Sequence, residues 1–169
     1  MMTVTSAPSQ TARLPAELVA SSAFLLKRLG FAAKQQAMEA YEESGLTPYH
    51  HGILSVLDEG TRETQGAIAD ALGYDRGQLV GMLDELEERG LVQRQRDPND
   101  RRRQVVRLTA EGKRALGRLR TLSRRLEDDL FRALDERERE QLHALLLRVA
   151  GTHLPACAEV PRASSTTAV

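Results

Sequence analysis

Six arginines, Arg94, Arg96, Arg101, Arg102, Arg103 and Arg107, fall between Gln93 and Gly112, opposed before Glu111 only by Asp97 and Asp100. A guanidinium is a planar fork of donors that fits phosphate oxygens, so arginine at this density is phosphate-binding chemistry if the side chains are displayed together. The local sequence offers a way to display them. Asp97-Pro98-Asn99-Asp100 has turn chemistry: proline sets its own φ, and Asn and Asp tolerate tight backbone geometry. Leu91–Arg96 and Arg103–Leu108 on either side read as short strands. A rigid two-stranded finger tipped with guanidinium groups suits a phosphate backbone and a narrow groove. The alternative is a solvated hairpin held by its own salt bridges, which is what most arginine-rich loops are.

The elements upstream decide between these readings. Thr64 caps a short helix, Gln65–Leu72, anchored by Ile68 and Leu72 and broken by Gly73. Asp75 caps the next, Arg76–Arg89, with Leu79, Met82, Leu83 and Leu86 at helical spacing and Gly90 as its stop. Two short helices joined by Gly73-Tyr74 fit a helix-turn-helix. With the hairpin behind it, that is a winged helix.

The first turn of the second helix is the part that enters a major groove. Arg76 there offers the two donors that match guanine O6 and N7, and Gln78 matches adenine N6 and N7. Val80 and Gly81 follow one turn on. Gly77 and Gly81 each cost a helix about 1 kcal/mol relative to Ala. Close approach to a base or phosphate would justify them, and so would loose sequence selectivity. Thr64 and Gln65, at the mouth of the preceding helix, are candidate phosphate donors.

The remaining elements carry these. Pro15 to about Glu43 reads as one long helix, with Phe24, Phe31 and Met38 in one stripe and Leu18, Leu25, Leu29 and Ala32 in the next. So wide an apolar face belongs either deep in a core or against a second subunit. Gly45 stops it. Thr47-Pro48 opens a helix with Tyr49, Ile53, Val56 and Leu57 facing inward, ended by Glu59-Gly60. Thr109 caps a long helix with Leu116, Leu119, Leu122, Leu126 and Leu130 along it, and Asp135 caps a last one bearing Leu142, Leu145, Leu146 and Val149, ending near Gly151. The terminal helices hold more apolar surface than so small a core buries, so they are expected to pack as a dimerisation layer.

The fold expected is mostly α: an α+β winged helix-turn-helix with a two-stranded wing, and a helical dimerisation layer from the N- and C-terminal helices. Its divisions are a disordered tail over 1–12, a dimerisation helix over 13–46, the winged helix over 47–108, dimerisation helices over 109–154 and a second tail over 155–169.

Composition constrains the rest. Among 169 residues 41 % are hydrophobic but only 4 % aromatic, with no Trp, so the core is one of Leu, Val and Ala, which favours helices. Formal net charge is zero, which excludes a globally basic nucleic-acid binder but not a basic patch on a neutral body. No apolar run approaches the roughly 20 residues a membrane span needs, and the N-terminus lacks the pattern of a signal peptide. One cysteine, Cys157, permits no intrachain disulfide. A cytoplasmic protein is expected.

The residues resemble the multiple-antibiotic-resistance regulator (MarR) family of winged-helix transcription factors over roughly Leu14 to Leu154. The specific part is D-x-x-D-R-R-x-x-x-V-x-L-T-x-x-G, met here as Asp97, Asp100, Arg101, Arg102, Val106, Leu108, Thr109 and Gly112. Leu86-Glu87-Glu88-Arg89-Gly90-Leu91-Val92 and Leu46-Thr47 also look like the family. The resemblance implies a homodimer on a pseudo-palindromic operator in double-stranded DNA, most often a repressor, released by a small phenolic or lipophilic ligand. It makes Arg102 the groove-inserting arginine, oriented by Asp100, with Arg101, Arg103 and Arg96 beside it. It places the start of an effector pocket at Tyr49 and His51, with Arg28 and Phe31 available to face it; an apolar wall with one cation suits an aromatic or lipophilic acid. Peroxide-sensing relatives carry a cysteine on the first helix, and this chain has none there.

Other classes fit less well. His50 and His51 are adjacent, so they point to different sides of a helix and make no metal pair. With no nucleophile–base–orienter set, no glycine-rich phosphate loop and no metal motif, neither an enzyme nor a cofactor is expected. A winged helix used only for protein contact is the alternative function, and the arginine tip argues against it.

Overall fold

The computed structural model describes residues 13–60, 63–97, 104–154 and 157. The turn and wing tip over 98–103, and nearly all of both expected tails, lie outside the described residues. The backbone forms two compact units, Met1–Gln36 and Ala37–Val169.

In the first unit the long helix expected from Pro15 is interrupted. A short α1 (Ala16–Val19) precedes α2 (Ser22–Glu42). Ser21 makes the break: its Oγ accepts the Phe24 N–H at 3.3 Å, so the side chain replaces the carbonyl that a continuous helix would supply. Leu25, Leu26, Leu29 and Phe31 are exposed, Phe31 at 67 %. The deep-core reading of this stripe therefore fails.

The second unit starts within α2, whose Tyr41 is buried. Gly45 (φ 64°) turns the chain, and Thr47 caps α3 (Pro48–Glu59) with Pro48 at its start, as expected. The capping box is closed by His50: its N–H donates to Thr47 Oγ1 and its Nδ1 accepts the Thr47 N–H, both at 3.2 Å. Ile53, Leu54 and Leu57 face the core, whereas Tyr49, expected inside, is 36 % exposed. Its ring instead meets Tyr74 edge-on.

A two-residue strand β1 (Glu63–Thr64) leads into α4 (Gln65–Leu72); Gly73 at φ 65° allows the tight turn, and Asp75 caps α5 (Arg76–Glu88). Gly90 at φ 68° ends the exit from α5. The wing strands are β2 (Val92–Arg96) and β3 (Gln104–Leu108), paired antiparallel with Arg94 opposite Val106. The sheet has three strands in the order β1-β3-β2, one more than the expected wing. Two residues carry too little alternation to be read as a strand.

The core gathers Ile53 and Leu54 of α3, Ile68 of α4, Leu79, Leu83 and Leu86 of α5, Val92 and Val106 of the sheet, and Leu116 and Leu119 of α6 (Ala110–Leu130). Aliphatic side chains fill it, as the composition requires. Arg139 staples the turn into α7 (Glu136–His153), donating to Asp128 Oδ1 at 2.8 Å and to Leu134 O at 3.2 Å. Leu145, Leu147 and Val149 of α7 are exposed.

One junction joins the recognition unit to α6. Thr109 caps α6 by accepting the Gly112 N–H at 2.9 Å, while its hydroxyl donates to Gly90 O at 2.7 Å and its N–H to Leu91 O at 3.0 Å. Gly112 packs directly on this carbonyl: a Cβ there would stand 2.1 Å from Leu91 O and 2.7 Å from Leu108 Cδ1. Gly112→Ala is therefore expected to lower the unfolding free energy by about 3 kcal/mol. A urea midpoint equal to that of the native protein would refute the close approach.

Candidate nucleic-acid interface

The exposed start of α5 owes its form to Asp75. Its Oδ1 accepts the Gly77 and Gln78 N–H groups at 2.9 and 3.0 Å, taking up two of the amides that a helix start leaves without partners. The cap fixes the direction in which the first turn leaves the fold. Leu79, Leu83 and Leu86 bury the opposite face.

Arg76 and Gln78 both stand in solvent, as the sequence predicts. The Arg76 side chain is 75 % exposed and lies 3.4 Å from Asp70 Oδ1. An ion pair this exposed is worth under about 1 kcal/mol, so it leaves the guanidinium available to a ligand. Gly77 has an internal reason: a Cβ would come within 3.1 Å of the capping Asp75 Oδ1. Gly81 has none, since a Cβ there meets nothing within 4 Å. Val80 beside it is 43 % exposed.

Thr64 has two tasks already. It pairs with Val105 in the sheet, and its Oγ1 accepts the Ala67 N–H at 3.2 Å. Gln65 is half-buried next to it. Arg96 is exposed at the outer end of β2, opposite Gln104. Asp100, Arg101, Arg102 and Arg103 lie outside the described residues.

Two arginines of the basic segment are not displayed. Arg107 is half-buried, with Nε enclosed and lacking a hydrogen-bond partner. The Arg94 side chain is only 16 % exposed and is turned onto α5, where it pairs with Asp84 and Glu87. Alternation along β2 would have flagged it, because Arg94 shares the inward face with Val92.

The histidines are more engaged than their sequence suggests. His50 is 2 % exposed, and its Nε2 lies 3.3 Å from Glu85 Oε2 on α5. Since Nδ1 accepts from Thr47, the proton of the neutral ring sits on Nε2, which is enclosed near that carboxylate without hydrogen-bonding to it. His51 Nδ1 pairs with the buried Tyr41 hydroxyl at 2.7 Å. Burial pushes the Tyr41 hydroxyl above its ordinary pKa, with a hydrogen bond to Ser123 working against that. Of the four candidate effector residues, Tyr49 turns to Tyr74 and His51 to Tyr41, so the two diverge on α3. Arg28 and Phe31 are exposed on α2. A separate groove of about 390 Å³, which the sequence did not signal, has Leu46, Ala115, Leu119 and Leu122 as its floor and Glu43 and Arg118 among its walls.

A capped helix-turn-helix that presents a polar first turn, continued by a short sheet, defines a winged-helix DNA-binding regulator. Residues 44–103 match the model of the MarR family. The chain is similar to a Thauera aromatica protein named as transcriptional regulatory protein for the hcr operon, at 33 % identity over 142 residues covering 79 % of this chain and 84 % of the relative. It is similar in structure to the transcriptional repressor CouR bound to a 23-mer DNA duplex, with a TM-score of 0.74 and 34 % identity over 82 % of this chain and 99 % of that one. It is also similar to CouR from Rhodococcus jostii RHA1 bound to p-coumaroyl-CoA, with a TM-score of 0.69 and 30 % identity over 80 % and 96 % of the two chains. The chain belongs to the MarR family of transcriptional regulators. Among the described residues no helix is long and apolar enough to cross a membrane.

Two outcomes follow from the site chemistry. Asp75→Ala removes the cap of α5 and is expected to cost about 1 kcal/mol of stability; a thermal midpoint equal to the native one would show the cap to be idle. The second concerns pH. Burial lowers the pKa of His50, with Glu85 pulling it up and Arg89 down; burial also lowers that of His51, and Arg120 adds to the effect. Between the lowered folded values and the ordinary one, the unfolded chain binds more protons, so stability is complete above about pH 6.5 and declines as pH falls through the lowered values. Urea midpoints should drop from about pH 7.5 to about pH 5.5, and less steeply in His50→Gln. Equal slopes in the two proteins would remove His50 from the account.

Proposed function

We propose that this protein is a homodimeric repressor that binds a pseudo-palindromic operator and is released from it by a small-molecule effector. The observation that carries the reading is the capped, exposed first turn of α5, with Arg76 and Gln78 in solvent while Leu79, Leu83 and Leu86 bury the opposite face of the helix. Arg76 and Gln78 read base edges in the major groove. Thr64, Gln65, Arg96, Arg101 and Arg103 contact phosphates, and Arg102, held by Asp100, enters the minor groove. The structural likeness to a repressor bound to duplex DNA supports this assignment.

The dimer is supported by exposed leucines on α2 and, separately, on α7, apolar side chains that water disfavours. Two recognition helices must then meet successive major grooves about 34–36 Å apart. The effector is an aromatic or lipophilic acid. Arg28, Phe31, Tyr49 and His51 are the residues proposed for it, since an apolar wall with one cation suits such an acid. The likeness to CouR bound to p-coumaroyl-CoA favours this ligand class. Such a ligand weakens DNA binding only by the difference in its own affinity for the two dimer geometries.

Fluorescence anisotropy of the purified protein against DNA from upstream of its own gene, with a scrambled duplex alongside, tests the core of the proposal. Binding should prefer the native duplex and fall steeply with salt, because each neutralised phosphate releases counterions. Arg102→Ala should weaken it at least about tenfold, in keeping with the loss of a groove contact. Weak, salt-insensitive binding to both duplexes would overturn the assignment.

A further inference from the structure

The recognition helix carries an electrostatic conflict. Its second half holds Asp84, Glu85, Glu87 and Glu88, yet this is the helix that must lie against a polyanion. Asp84 and Glu87 are on the side that faces β2, since Arg94 reaches both. With a recognition helix in the major groove and a wing in the neighbouring minor groove, the phosphate strand between the grooves passes over the seam of α5 and β2. Two uncompensated carboxylates there would repel it.

Arg94 occupies a strand position that the core would otherwise claim. It stands across from the fully buried Val106, on the same face of β2 as the buried Val92. Its Nη1 donates to Asp84 Oδ1 at 2.5 Å and to Glu87 Oε2 at 3.0 Å, and its Nη2 donates to Val80 O at 3.3 Å. Its backbone N–H donates to Glu87 Oε1 at 2.9 Å, so Glu87 is held through both oxygens. The carboxylates themselves remain open to solvent, at 52 % and 39 % side-chain exposure against 16 % for the arginine. The acids therefore face outward while the cation that cancels them is tucked beneath.

We infer that Arg94 is a positioning residue for DNA binding, one that touches no DNA but cancels Asp84 and Glu87 at the seam between helix and wing. Without it the recognition helix repels the phosphate strand that must lie across this seam. The inference rests on α5 being the DNA-reading helix.

The test uses the full chain and a duplex that the native protein binds, titrated by anisotropy at about 50 mM and about 300 mM salt, where the screening length differs by more than twofold. Arg94→Met should lose at least about tenfold in affinity at low salt and much less at high salt, because repulsion across solvent is screened. Adding Asp84→Asn and Glu87→Gln should restore affinity to within about threefold of native. A purely structural brace would give the same loss at both salts and no recovery on neutralising the acids, and that result, like native affinity in Arg94→Met, overturns the inference. Should Arg94→Met fail to fold, the double variant Asp84→Asn, Glu87→Gln with Arg94 intact decides. Each amide keeps one oxygen that can accept from the guanidinium, Glu87→Gln giving up one of the two Glu87 contacts, while the seam gains net positive charge, so this variant should bind more tightly at low salt; weaker binding overturns the inference. Arg76→Ala is measured in parallel. Unchanged affinity there sinks the α5 reading itself, whereas a loss with Arg76→Ala and none with Arg94→Met sinks only the role of Arg94.

Discussion

The Leu91 carbonyl is the point on which the rest of the second unit depends. It accepts the Thr109 N–H, and Gly112 packs against it more closely than any residue with a Cβ could. Leu91 lies between the Gly90 turn and the first residue of β2, and Thr109 between the last residue of β3 and the first of α6. The exit of the recognition helix, the base of the wing and the start of α6 thus share one small set of backbone atoms. A carbonyl buried at such a junction must be paired, because an unmade hydrogen bond there costs about 1–3 kcal/mol. Pairing it with Thr109 fixes the crossing of α6 over the winged helix to within a side-chain contact. Motion of α6 then passes to α5 and the wing together, since neither can slip on its own without opening this junction.

That rigidity makes the charge distribution on α5 consequential. A helix free to tilt could turn its acids away from a polyanion. One held at its exit by Leu91 and along its length by Leu79, Leu83 and Leu86 cannot. The protein has no net charge with which to overcome local repulsion, so binding must come from where individual charges stand. Arg76 and Arg96 stand in solvent, whereas half-buried Arg94 pairs with the solvent-facing Asp84 and Glu87.

The sequence revealed most where a backbone requirement narrows the choice of residue. Thr47, Thr64, Asp75, Thr109 and Asp135 all cap helices as their types predict, because few side chains can accept from an N2 or N3 amide. Gly45, Gly73 and Gly90 mark turns for a similar reason: each has positive φ. The helix break at Ser21 escaped notice because serine is tolerated in a helix, and only the hydrogen bond to Phe24 distinguishes a cap from an exposed side chain. β1 escaped because two residues have no period. The two contacts of His50 have no signal in the sequence for a different reason. A histidine at the third position of a helix is an unusual closing member for a capping box, and its second partner, Glu85, is far away in sequence. Arg94 was grouped with its neighbours by type, when position along the strand decides which arginines face outward.

His50 shows why the two ends of the recognition helix are supported so differently. At the start, Asp75 is a local device: it reaches amides two and three residues on and could cap any helix. Near the other end, support comes from distant elements, with His50 of α3 against Glu85 and Arg94 of β2 against Asp84 and Glu87. A local cap leaves the first turn exposed, with Arg76 in only a solvent-exposed pair with Asp70, as a surface that enters a groove requires. Contacts from α3 and β2 on the second half fix the azimuth of the helix, and with it the direction in which Arg76 and Gln78 are presented. Side chains from different parts of the fold set that angle, so the packing of α3 and the orientation of α5 are linked. The buried ring of His50, with one nitrogen committed to the Thr47 cap and the other turned toward Glu85, links the helix that begins at Thr47 to the orientation of α5.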